Sequence, residues 1–93
     1  MKTITIQIGN SDDKLPQSYW SRFCHEMIGA IQHYATEIHF SGYSLPNARW
    51  QNAAFVFTID ESLTGELSEC VVIIRDNYGQ DSVALTEGET RLI

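Results

Sequence analysis

His39 and Tyr43 stand four residues apart in the alternating stretch Glu-Ile-His-Phe-Ser-Gly-Tyr. On a β-strand that spacing puts both side chains on one face, because side chains alternate with a period of two. An imidazole that titrates near neutrality, beside a phenol, is a workable acid–base pair for a small organic substrate. The commoner use of such a histidine is a hydrogen bond from a strand edge to its neighbour. Just beyond lie Tyr43, Leu45, Arg49, Trp50 and Gln51, whose chemistry is that of contact rather than catalysis. A tryptophan offers a large rigid apolar area, and an arginine beside it can make bidentate or stacking contacts. These five residues are the candidate binding surface, the competing use of Trp50 being a lid on the core.

Other reactive residue types are present without a reactive pattern. Cys24 and Cys70 are too few for a zinc site of their own, and both fall on predicted helix faces as buried thiols. His25 and His33 lie eight residues apart on one helix, about 80° around its axis, which is not metal-pair geometry. Asn10, Asp12 and Asp13 suit an Asx-turn better than a cation site, since no bidentate Glu follows at a fixed offset. Asp81, beside Gln80, is placed to satisfy backbone N–H groups at a helix-to-strand junction. No serine elbow, glycine-rich phosphate loop or metal-ligand spacing occurs, and neither cofactor nor metal is expected.

The charge balance narrows the choice of partner. Twelve acids against six bases give a formal net charge of −6, and the bases are scattered along the chain. Binding to nucleic acid through phosphates needs clustered Lys and Arg, so it is not expected. No apolar run is long enough to span a membrane. The start, Met-Lys-Thr-Ile-Thr-Ile-Gln-Ile, alternates and breaks at Gly9, unlike a signal peptide, so a cytoplasmic location is expected.

The elements that must carry these residues follow from periodicity. Lys2 to Ile8 reads as a strand with Ile4, Ile6 and Ile8 on one face. Pro16 opens a helix of about five turns whose stripe is Trp20, Phe23, Met27, Ile31 and Tyr34. Glu37 to Tyr43 is a second strand, with Ile38 and Phe40 on one face and His39, Ser41 and Tyr43 on the other; Gly42 and Pro46 mark its end. A long connection, Ser44 to Gln51, leads into the strand Asn52 to Ile59, with Phe55, Phe57 and Ile59 on its bulky face and Ala54, Val56 and Thr58 opposite. Leu63, Leu67, Cys70, Ile74 and Tyr78 then predict a helix over 63–78, although Val71-Val72-Ile73-Ile74 alone would favour a strand. Gly79 ends that helix, Ser82 to Thr86 is the last strand, and Thr90 to Ile93 is a tail.

Strand, helix, strand, strand, helix, strand in one domain over residues 1–93 predicts the α+β ferredoxin-like βαββαβ fold. Its four-stranded antiparallel sheet has spatial order 4-1-3-2, with both helices on one face. The opposite face is open and collects small, nearly uncharged residues, which suits a homodimer or a shallow ligand space.

The segments Ile8–Leu15, Pro46–Asn52 and Tyr78–Val83 resemble those of a group of small bacteriophage and bacterial proteins of unassigned function. Trp20 and Phe23 on the first helix, with Gln80, Ser82 and Val83 near the end, are also similar to a wider set of ferredoxin-like domains. The resemblance implies a phage or prophage origin and supports the helix over 63–78. It brings no activity and no site residues. The leading expectation is a non-enzymatic binding protein that acts on a host protein or small host molecule. The alternative is a dimeric α/β-barrel-type enzyme that uses His39 and Tyr43 at the open face.

Overall fold

The computed structural model describes residues 2–10, 14–45 and 47–93. Strand β1 (Lys2–Gly9) leads to helix α1 (Gln17–Tyr34), which passes directly into strand β2 (Ala35–Tyr43). Strand β3 (Asn52–Ile59) follows, then a single 3-10 turn at Glu61–Leu63, helix α2 (Thr64–Asn77) and strand β4 (Ala84–Gly88). The sheet order is β2-β3-β1-β4 with every pairing antiparallel, so the ferredoxin-like topology is present as expected, read from the opposite edge.

The core lies between one face of this sheet and both helices. Ile4, Ile6 and Ile8 of β1 and Ala53, Phe55, Phe57 and Ile59 of β3 point toward the helices, all buried. Helix α1 meets them with Trp20, Phe23, Cys24, Met27 and Ile31, and α2 with Leu67, Val71 and Ile74. The β-branched run 71–74 is therefore helical. Burial of Val71 and Ile74 on one stripe with Leu67 outweighs the local strand preference, and leaves Val72 and Ile73 exposed on the far side.

The 3-10 turn that leads into α2 and the C-terminal end of α2 are each closed by named groups. Asp60 Oδ1 accepts hydrogen bonds from the Ser62 backbone N–H and hydroxyl, at 2.9 and 2.8 Å, ahead of the first turn. Those bonds, the backbone one foremost, hold the Asp60 carboxyl below its ordinary pKa. A lowered folded pKa means this cap stabilises above the ordinary aspartate value and is lost as pH falls through the lowered one. At the other end Gly79 takes φ 63°. The Gly79 and Gln80 N–H groups bond back to the carbonyls of Asp76 and Arg75, the double bond pattern of a Schellman ending. Asp81, expected to satisfy nearby N–H groups, instead pairs with Lys14 at 3.5 Å.

Strand β4 covers residues 84–88, two positions later than the periodicity suggested. Its register is set by β1, with Ile6 opposite Leu85 and Gln7 opposite Ala84, and Val83 stays in the connection, half-buried against the core.

Strand β2 departs most from expectation. Its ladder with β3 shifts register between Ala35 and Glu37 and again between Ile38 and Phe40. Ile38 lies opposite Phe57, but Phe40 lies opposite Val56, so one residue is inserted and the side-chain alternation reverses beyond it. Phe40 and Gly42 therefore share the open face with Val56 and Ala54, while Ser41 and Tyr43 share the helix face with Phe55 and Ala53. The expected grouping of Ile38 with Phe40, and of His39 with Ser41 and Tyr43, is corrected on both counts.

Candidate functional site

The loop between β2 and β3 is anchored before it begins and after it ends. The Ser44 N–H bonds to the Asn52 carbonyl at 2.8 Å, and the Asn52 N–H returns to Ser44 Oγ at 3.1 Å, which extends the β2–β3 ladder by one rung. Within the loop the Ala48 N–H bonds to the Leu45 carbonyl at 2.9 Å. Pro46 lies outside the described residues.

The exit of the loop is clipped to β1 and α1 through Asn10, which is 1% exposed. Its side-chain amide gives one hydrogen bond to the Leu15 carbonyl and another to Gln51 Oε1, at 2.9 and 3.0 Å, while its Oδ1 accepts from the Leu15 N–H at 2.9 Å. The Asn10 backbone N–H adds a bond to the Gln51 carbonyl at 2.8 Å. Gln51 Nε2 then donates to Gln17 Oε1 at 2.6 Å, reaching the first residue of α1. Asn10 thus acts as a structural clip; Asp12 and Asp13, named with it above, lie outside the described residues. Asn10→Ala is expected to cost about 2–3 kcal/mol, because it removes a buried side chain and leaves the part-buried carbonyl and N–H of Leu15 without its amide. A loss of stability in urea denaturation of less than about a third of that would show the clip to be dispensable.

On this frame the loop holds its large side chains outward. Trp50 is 45% exposed, Tyr43 64% and Leu45 74%. The Arg49 guanidinium lies over the Trp50 ring, 5.1 Å from its centroid. Trp50 takes no part in the core, so it is not a lid. Arg49 and Trp50 form a stacked cation–π plate on the surface.

A cleft of about 410 Å³ separates the loop from α1. Tyr43, Leu45 and Gln51 line it from the loop side, with Ser21, Cys24 and His25 on the helix side. The wall is polar but, among the described residues, carries no carboxylate, lysine or arginine. The α1 side of this cleft was not foreseen. Its signal was present in Gln17, Ser21 and His25, four residues apart on a helix and therefore on one shoulder beside the apolar stripe. Burial pushes the Cys24 thiol up to about 11, so it stays protonated and a poor nucleophile at neutral pH. Of the two free cysteines, Cys24 is buried and Cys70 half-buried. Iodoacetamide at pH 8 is expected to alkylate Cys70 first, and mass mapping that finds Cys24 labelled faster would show that the cleft opens to its floor.

The proposed acid–base pair is not assembled. His39 sits at the inserted position of β2 and its Nε2 shares a 2.6 Å hydrogen bond with Thr58 Oγ1, a residue of the open face. Tyr43 is on the helix side, in the wall of the cleft. The sheet lies between them. Among the described residues no three His, Cys, Asp or Glu side chains are grouped to hold a metal ion, and no helix is long and apolar enough to cross a membrane.

No protein-family model matches this sequence, and no curated protein matches it closely enough to count as a relative. Solved structures do match in shape. The Arabidopsis thaliana protein At3g17210 aligns with a TM-score of 0.62 at 12% identity, over 99% of this chain and 96% of its own. A dimeric ferredoxin-like protein of unknown function from Thermobifida fusca YX aligns at 0.54 and 11% identity, over 97% and 92%. An aspartate kinase from Clostridium acetobutylicum, described as an allosteric enzyme, aligns at 0.58 and 15% identity over 92% of this chain. This chain spans only 18% of that kinase. At such identities the likeness is one of fold, and the fold is ferredoxin-like.

Proposed function

We propose that this chain is a small non-enzymatic binding protein, encoded by a phage or prophage, that engages a host protein in the cytoplasm through the β2–β3 loop. The observation that carries the reading is the Arg49–Trp50 plate, held outward with Tyr43 and Leu45 on a loop clipped at both ends. Large rigid side chains on a fixed frame lose little entropy on binding, which is the composition and setting of an interface hot spot. The neutral, polar cleft beside the plate supports a second use, seating an uncharged side chain of the partner or a small host molecule. The enzyme alternative loses its chemistry in this geometry, since His39 and Tyr43 face opposite sides of the sheet.

The proposal includes a homodimer, a reading supported by the description of the Thermobifida fusca neighbour as dimeric. The test of the binding function is capture of a partner from host lysate by the wild-type chain, followed by titration of that partner with the Arg49→Ala/Trp50→Ala double variant.

A further inference from the structure

The open face of the sheet carries a feature that folding alone does not call for. At the inserted residue of β2 the chain turns Phe40 away from the core and onto the open face, where it remains 55% exposed. Its ring lies down over Gly42: a Cβ at Gly42 would stand 2.6 Å from Phe40 Cζ and 3.0 Å from Cε2. Glycine thus leaves room for the ring at this position, and Val56 is the cross-strand partner of Phe40. Ala54, Thr5, Thr58, Ala84 and Thr86 continue the surface at small height.

Charge indicates what covers this plate. The chain as a whole carries −6, so two copies repel over most of their surfaces. Among the described residues, the only acid at a strand position on the open face is Glu37, near the start of β2, and β1, β3 and β4 bring none. A basic partner would be drawn elsewhere. A second copy meets little repulsion here. The sheet edges are poorer sites, because β2 is interrupted by two register shifts and β4 is five residues long. Four strands about 4.8 Å apart and up to about 26 Å long give a plate on the order of 500 Å² per copy. The resulting ~1,000 Å² in total is the lower limit of specific interfaces, which fits a dimer in the micromolar range.

We propose that two copies of this chain pair face to face through their open sheet surfaces, with the Phe40 plate of each copy as the apolar anchor. This rests on the homodimer reading above and assigns its surface; it leaves the β2–β3 loops of both copies free. The experiment is sedimentation of the full chain between 1 and 200 µM, concentrations chosen about the micromolar range, for the wild type and for Phe40→Asp, Val56→Lys and a control, Ile73→Asp on the exposed side of α2. The expected result is a concentration-dependent dimer for the wild type and Ile73→Asp. Each open-face variant is expected to raise the dissociation constant at least ~30-fold, the size of a hot-spot loss. Circular dichroism confirms that the variants fold, as expected for two side chains outside the core. A monomeric wild type at the highest concentration would overturn both this inference and the homodimer reading. A wild-type dimer that survives both open-face substitutions would leave the homodimer standing and overturn the face assigned to it.

Discussion

Replacing Phe57 by alanine is expected to remove about 3–5 kcal/mol of folding stability, the range for truncating a buried phenylalanine. Phe57 is fully buried at the middle of β3, opposite Ile4 on one side and Ile38 on the other. Its ring lies in the core between the sheet and the helices. A domain of this size has on the order of 5–14 kcal/mol in total, so the loss is a large fraction of it. Urea denaturation should show the midpoint falling sharply while the slope stays constant. The matched control is Val56→Ala, one residue away but on the half-buried open face, which should cost about 1 kcal/mol or less. Equal costs for the two would mean that the faces of β3 are misassigned.

The double variant Arg49→Ala/Trp50→Ala is expected to weaken partner binding by 2 kcal/mol or more, about 30-fold in dissociation constant, with the fold intact. The two side chains stack on one another and not on the core, so their removal leaves the packing and the Asn10–Gln51 clip in place. Isothermal titration gives the affinity and thermal unfolding the control. A drop of more than a few degrees in the unfolding midpoint would show that the plate supports the loop. Unchanged affinity would place the contact elsewhere, with the cleft beside α1 as the next surface to test.

The fold was readable because its signals are redundant. Ile4, Ile6 and Ile8, the bulky face of β3 and the long stripe of α1 each fix an element, and their order leaves few topologies. The α2 region shows how a longer pattern overrides a shorter one, since Leu67, Val71 and Ile74 span turns that a four-residue run cannot. Strand β2 differs from its sequence pattern for a physical reason. An inserted residue changes no composition and leaves the alternation locally intact, yet reverses which face every later side chain takes. From the sequence, Ile38 and Phe40 look like a pair and His39 and Tyr43 like another; only the pairing with β3 separates them. The loop residues were legible by type alone. That Gln51 would be spent on Asn10 and Gln17, instead of on a partner, depends on contacts between distant parts of the chain.

The pairing of β1 with β4 has a consequence for how the chain reaches this structure. Thr3 pairs with Gly88 and Gln7 with Ala84, residues that lie most of the chain apart. Such closures carry the largest entropic cost and form late. The β2–β3 hairpin is local, and β1 can join it while β4 is still unbound. During that interval β1, with its alternating isoleucines, is not an interior strand but an unpaired border, and the isoleucines that β4 and α2 later enclose stand open to water. At high protein concentration an intermediate of this kind can be completed by the β4 of another molecule in place of its own. Strand exchange and early aggregation are therefore the characteristic hazards of refolding at high concentration, and dilution is the natural remedy.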